Sequence, residues 1–125
     1  MRLLLDTHVL LWWLDDNPRL KGKAKAAIAD GRTTVFISAV VIWEIRIMEA
    51  LGKLRVPAQL QEVMGQQGFE PLPVTAEHAH ALAKLPMHHR DPFDRMLITQ
   101  AQAEGLTLVT HDGRLAQYGI RLLRA

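Results

Sequence analysis

Apolar residues follow two patterns along this chain. Four short runs, residues 3–5, 35–37, 107–109 and 120–123, are too brief for helices and do not alternate with polar positions. Such runs suit strands of a parallel sheet that is covered on both faces. Residues 69–72, set between Gly68 and Pro73, read as a weaker fifth strand. Between the runs the spacing turns helical. Val9, Leu10, Trp13 and Leu14 mark a helix over 7–14 that stops before Asn17-Pro18. Ala24, Ala27 and Ile28 mark another over 20–29, closed by Gly31. Ser38 is placed to N-cap a long helix running through Ala50, with Gly52 just past its end. Pro57 opens a shorter helix through Met64. Thr75 caps the next, but the residue three places on is His78, neither acid nor amide, so no capping box is expected. The last helix runs from Pro92 or Phe93 to Glu104, and Gly105 stops it.

Strands that alternate with helices over most of the length predict an α/β fold. The expected form is a three-layer sandwich with a central, mainly parallel sheet of four or five strands flanked by helices. No linker composition or internal repeat divides residues 1–125, so a single domain is expected. Composition supports this: 49% hydrophobic and 22% charged residues suffice for a core and disfavour disorder. Cysteine is absent, which removes disulfides, thiolate nucleophiles and sulfur-ligated metals from consideration. Asp6 interrupts the apolar start, and no apolar run reaches the roughly 20 residues of a membrane span. A soluble, cytoplasmic protein is the expectation.

The net charge of +2 is not the basic excess of a protein that holds nucleic acid by charge alone. Basic residues are nevertheless segregated. Arg19, Lys21, Lys23 and Lys25 lie together, and Arg114, Arg121 and Arg124 crowd the C-terminal end. Each run taken singly reads as a solvated face, and becomes a phosphate-steering surface only beside an acidic cleft.

The acids supply that possibility. Asp6 directly follows the first strand, and Asp112 stands in the equivalent place after the 107–110 run. In open α/β sheets the ligand crevice lies outside the carboxyl ends of the strands, so both reach one rim if those strands are neighbours. Asp94 sits in the first turn of the last helix, and Glu44 lies amid Val40-Val41-Ile42-Trp43 and Ile45, where an unpartnered acid is costly. Each has a plain structural reading: Asp6 as a helix cap, Asp94 in the first turn as a complement to the helix dipole, Asp112 before Gly113 as a turn residue, and Glu44 as a snorkelling side chain or an ion-pair partner of Arg46 or another base. Joint placement favours a common site. Carboxylates about 4 Å apart repel by roughly 4 kcal/mol per pair at an effective dielectric near 20. They must share protons, find cations or bind a metal. Hard oxygen ligands without cysteine favour Mg²⁺ or Mn²⁺, an ion that can activate water for in-line attack on a phosphodiester.

Other residues read less functionally. Asp91 before Pro92 is a cap for the last helix. Arg95 is a candidate contact for substrate phosphate or a partner for a nearby acid. The six histidines lack metalloprotease-type spacing, so a histidine–zinc site is not expected. His8 and His111, beside site acids, could approach substrate. Trp12, Trp13 and Trp43 could stack on bases, although helical spacing among leucines points to core or interface.

On four fragments the chain resembles the PIN-domain nucleases, and most closely the VapC-type toxins of toxin–antitoxin pairs. These are Leu4-Leu5-Asp6-Thr7-His8, Ser38-Ala39-Val40-Val41-Ile42-Trp43-Glu44-Ile45, His89-Arg90-Asp91-Pro92-Phe93-Asp94-Arg95 and Leu108-Val109-Thr110-His111-Asp112, in family order across nearly the whole chain. The resemblance implies a PIN fold and Mg²⁺- or Mn²⁺-dependent RNA cleavage. It also implies a homodimer and a cognate antitoxin. It places Asp6, Glu44 and Asp94 at the three metal-site acids and Asp112 at a more variable fourth, with Thr7 and Thr110 supporting them through hydroxyls. One departure is Met48, where related toxins often carry a lysine four residues after the glutamate. The competing readings are a non-catalytic RNA-binding module and a metal-dependent hydrolase of DNA or small phosphoesters. The apolar helices around residues 10–14 and 42–51 are candidates for a dimer interface or an antitoxin groove.

Overall fold

The structure, a computed structural model, describes residues 1–125. The opening apolar run becomes β1 (Arg2–Leu5), the middle strand of a five-stranded sheet. β2 (Thr34–Ser38) and then β3 (Glu70–Leu72) lie on one side of it; β4 (Thr107–Thr110) and then β5 (Leu122–Arg124) lie on the other. All four pairings are parallel, and Leu4 stands opposite both Phe36 and Leu108. Successive residues Leu3, Leu4 and Leu5 are fully buried. Since neighbouring side chains of a strand point to opposite faces, helices must cover both sides, as the unalternating pattern requires.

The covering helices are α1 (Thr7–Leu14), α2 (Gly22–Ala29), α3 (Ala39–Ala50), α4 (Leu60–Gln66), α5 (Ala76–Ala81) and α6 (Pro92–Glu104). Two 3₁₀ turns, Leu82–Lys84 and Gly113–Tyr118, complete the list. The end signals explain most boundaries. Ser38 caps α3 by accepting from the Val40 N–H (3.1 Å). Asp91 caps α6, accepting from Phe93 N–H at 2.8 Å with Pro92 in the first turn. Gly105 ends α6 at φ 65°, a left-handed conformation that favours glycine.

Three expectations need correction. α4 begins at Leu60 rather than Pro57, because Gln59 is non-helical and offers no side-chain cap. β5 starts at Leu122, two residues late, because the preceding 3₁₀ turn runs to Tyr118 and Gly119 (φ 68°) must redirect the chain first. Thr75 does form a capping box. Its hydroxyl accepts from His78 N–H (3.2 Å), while His78 Nδ1 accepts from Thr75 N–H (3.1 Å). A neutral imidazole nitrogen has the lone pair that a glutamate or glutamine would lend. The other ring nitrogen, Nε2, lies 2.9 Å from Glu104, so the buried His78 also ties α5 to α6.

The strand order has one consequence for function. After β1 the chain winds outward to β2 and β3, then returns across the sheet to β4. The crevice therefore lies at the carboxyl ends of β1 and β4. The Asp6 N–H donates to Val109 O (3.0 Å) there, locking the residues that follow the two strands side by side.

Candidate metal centre

Asp6 leaves β1 and caps α1. Its Oδ1 accepts from the Val9 N–H at 2.8 Å, while Oδ2 lies 3.8 Å from His111 Nδ1. Capping and membership of a site are thus compatible, one oxygen serving each. The residue is only 4% exposed, and burial pushes its carboxyl above the ordinary range. The Thr110 side chain, the Val9 N–H, His111 and His8 pull the other way.

Asp94 reaches the same crevice from the first turn of α6, with Oδ2 2.8 Å from His89 Nε2. Its pKa is raised to about 6, chiefly by burial. The His89 hydrogen bond opposes that rise, and the negative charges of Asp91 and Asp6 add to it. Asp112 follows β4 and meets the opposite environment. Arg114 grips it in bidentate fashion, Nε to Oδ1 at 2.9 Å and Nη2 to Oδ2 at 2.8 Å, and holds its pKa down at about 2. Thr110 Oγ1 accepts from the Asp112 N–H (3.1 Å), so one hydroxyl serves two acids.

Glu44 projects from α3, which packs against both α1 and α6. It is half-buried, and Thr7 Oγ1 donates to its Oε1. Compensation by Arg46 is not seen: at two residues' remove Arg46 points elsewhere and pairs with Glu49 (2.9 Å). With Met48 in place of a lysine, Thr7 is the hydrogen-bond donor that Glu44 has.

His89, Asp94 and Asp112 offer ligand atoms that all lie within 4.8 Å of one another. Asp6 borders this triplet through Asp94, and Glu44 joins through Thr7, the residue after Asp6, but neither completes a triplet of that closeness. His89 was not legible as a site residue. It lies outside the helix, and the Asp91-Pro92 step that turns the chain into α6 folds it back over the first helical turn. The Pro-opened helix with an acid in its first turn is the one signal that could have drawn notice. Arg114 is the second addition; it stands at the acidic crevice, and the Arg124 guanidinium lies close over Gly113.

Arg95 is placed elsewhere. It is 8% exposed and donates to the carbonyls of Leu85 (3.2 Å), Pro86 (2.9 Å) and His89 (3.3 Å) and toward the Tyr118 hydroxyl (3.4 Å). It contacts neither an acid nor the crevice; it holds the loop that carries His89. Trp13 donates its indole N–H to Gln67, and Trp43 is 61% exposed with its ring edge-on to Phe93.

The donor set suits a hard divalent cation. Asp94 and Asp112 meet with His89, Asp6 lies next to Asp94, the nearby Arg114 is already occupied by Asp112, and burial raises both Asp6 and Asp94. A cation between the latter two would relieve the desolvated charge that proton uptake otherwise relieves.

This α/β sheet with acids at the ends of its first and fourth strands is the PIN architecture, and the chain belongs to the PIN-domain family, which matches residues 3–120. Among its relatives is Ribonuclease VapC22 of Mycobacterium tuberculosis (strain ATCC 25618 / H37Rv), 34% identical over 122 residues, or 93% of this chain and 91% of that protein. The fold is shared with the structure of VapBC2 from Rickettsia felis bound to a DNA fragment from its promoter. That match has a TM-score of 0.74 at 17% identity and covers 100% of this chain and 99% of the other. It is shared too with DNA-bound VapBC from Salmonella typhimurium, at TM-score 0.71 and 19% identity over 99% and 98% of the two chains. No helix is long and apolar enough to cross a membrane.

Proposed function

We propose that this chain is a Mg²⁺- or Mn²⁺-dependent endoribonuclease, the toxin of a toxin–antitoxin pair, formed as one PIN-like domain acting in the cytoplasm. The observation that carries the reading is the closeness of Asp94 and Asp112 with His89, with Asp6 next to Asp94 and Glu44 bonded to Thr7, the residue that follows Asp6. Resemblance to a named ribonuclease over most of both chains supports RNA as the substrate.

In this reading Asp6 and Asp94 hold the ion, with Glu44, Asp112 and His89 completing or positioning its surroundings. When bound, the ion supplies a water activated for in-line attack on the phosphodiester and offsets charge on the leaving oxygen. The protein's own groups keep the acids in place. Thr7 orients Glu44, Thr110 ties Asp6 to the Asp112 backbone, and Arg114 fixes the Asp112 carboxylate. Arg114 and Arg124 also put positive charge at the edge of an otherwise anionic crevice, where a phosphate chain must approach.

The partners proposed are a cognate antitoxin and a second copy of the chain. α3 and its C-cap present Trp43, Ile47 and Leu51, all exposed and four residues apart, and Trp43 borders a groove of about 940 Å³ lined also by Ile42, Met64, Phe69 and Leu72. An apolar stripe of this kind is what a partner helix or segment covers.

The deciding experiment is cleavage of single-stranded RNA with Mg²⁺ or Mn²⁺ present, and again after EDTA. Activity should need the metal and should be lost in Asp6→Asn and Asp94→Asn. Hydrolysis that survives chelation, or that both variants retain, would remove the metal mechanism.

A further inference from the structure

Three aromatic rings meet at the mouth of the crevice. His8 and Trp12 lie one turn apart on α1, and so share a face, with ring centroids 6.4 Å apart. His111, from the loop after β4, completes the group. Its ring is 5.0 Å from His8, edge-on, and 5.4 Å from Trp12. His8 and His111 are exposed and Trp12 is half-buried. The cluster abuts the acids, since His111 Nδ1 lies 3.8 Å from Asp6 Oδ2. Trp13, by contrast, turns its N–H to Gln67.

We infer that His8, Trp12 and His111 form a stacking site for an unpaired nucleobase next to the phosphate that reaches the acids. The inference rests on the ribonuclease reading for its ligand and adds to it the place where substrate is held. Two observations lead there. A net charge of +2 and an anionic crevice whose positive charge sits only at its edge, on Arg114 and Arg124, leave room for a second source of affinity that does not depend on charge. Exposed rings beside the reacting group provide it without regard to charge, because every base offers a π face once it is unpaired. The three rings come from two separate segments brought together by the β1–β4 pairing, and no hydrophobic core requires the two histidines among them. His8 acts as a binding residue: it follows Asp6 by two positions and eases that acid's charge, but offers no ligand atom to the group of His89, Asp94 and Asp112.

The test is binding of a fluorescein-labelled single-stranded RNA to the full chain in EDTA, followed by anisotropy, so that no cleavage intervenes. His8→Ala should weaken binding roughly 5- to 150-fold, the range for loss of one base–aromatic stack. His8→Phe should restore it and His8→Lys should not. An oligonucleotide carrying one abasic position should lose a similar factor with the wild-type chain and almost nothing further with His8→Ala. Trp12→Leu, checked for an unchanged thermal midpoint, should behave as His8→Ala does. Rescue by lysine but not phenylalanine, additive losses at every abasic position, or no RNA binding by the wild type would each overturn the stacking site. RNA binding that depends on His8 in a chain that never hydrolyses RNA would instead retain the stack and remove the ribonuclease reading. Loss of cleavage in Asp94→Asn with binding unaffected by His8→Ala would do the reverse.

Discussion

Replacing Asp94 by asparagine should make the metal-free protein more stable while destroying its response to metal. The side chain of Asp94 is 26% exposed, and its pKa of about 6 stands well above the roughly 3.9 of an aspartate in an unfolded chain. Between those two values the folded state holds more protons than the unfolded one, so this group's contribution to stability falls as pH rises. Its penalty is absent below about pH 4 and complete above about pH 7. Two pKa units correspond to about 3 kcal/mol as an upper limit, and partial solvent screening at a quarter-exposed side chain reduces that to about 1–2 kcal/mol. Asparagine keeps the shape and removes the charge. In EDTA at pH 8, urea denaturation should show Asp94→Asn more stable than wild type by that amount, with an unchanged m-value. The gain should shrink towards zero near pH 4. Mn²⁺ at about 100 times its Kd should then stabilise the wild type by about 2.7 kcal/mol and the variant far less, reversing their order. An Asp94→Asn chain that is no more stable at pH 8, or whose advantage persists in acid, would refute the claim that desolvation and neighbouring carboxylates strain this residue.

Three further outcomes follow from the same geometry. Arg95→Met should cost about 2 kcal/mol by urea midpoint, because the buried Leu85 carbonyl and the part-buried Pro86 and His89 carbonyls lose their donor; Arg95→Lys should not restore it, lacking the forked donor set. Thr7→Val removes the donor to Glu44 without changing shape and should lower Mn²⁺ affinity by about 10- to 100-fold in calorimetry, with Thr7→Ser close to wild type. His89→Gln should weaken Mn²⁺ binding more than Mg²⁺ binding, since a nitrogen ligand suits the former better. Equal losses for the two ions would show His89 to be only a hydrogen-bond partner of Asp94.

Much of this protein was legible along the chain because the relevant physics is local. Residues 3–5 and 107–109 suited covered strands, since short unalternating apolar runs set between helical stretches fit a parallel sheet buried on both faces. Ser38, Asp91-Pro92 and Gly105 marked helix ends through backbone groups within four residues of themselves. Asp6 and Asp112 could be assigned to one rim because parallel topology puts every strand's carboxyl end on the same side. What could not be read was anything set by side chains meeting across the fold. His78 completing a capping box depends on its tautomer, which Glu104 on another helix helps to choose. Arg95 turning inward depends on carbonyls in a loop that only tertiary packing brings beneath it. The distinct fates of chemically identical aspartates, Asp94 raised by burial and Asp112 lowered by Arg114, came from desolvation and charge proximity. Those are properties of the folded volume, and the linear order of residues carries no record of them.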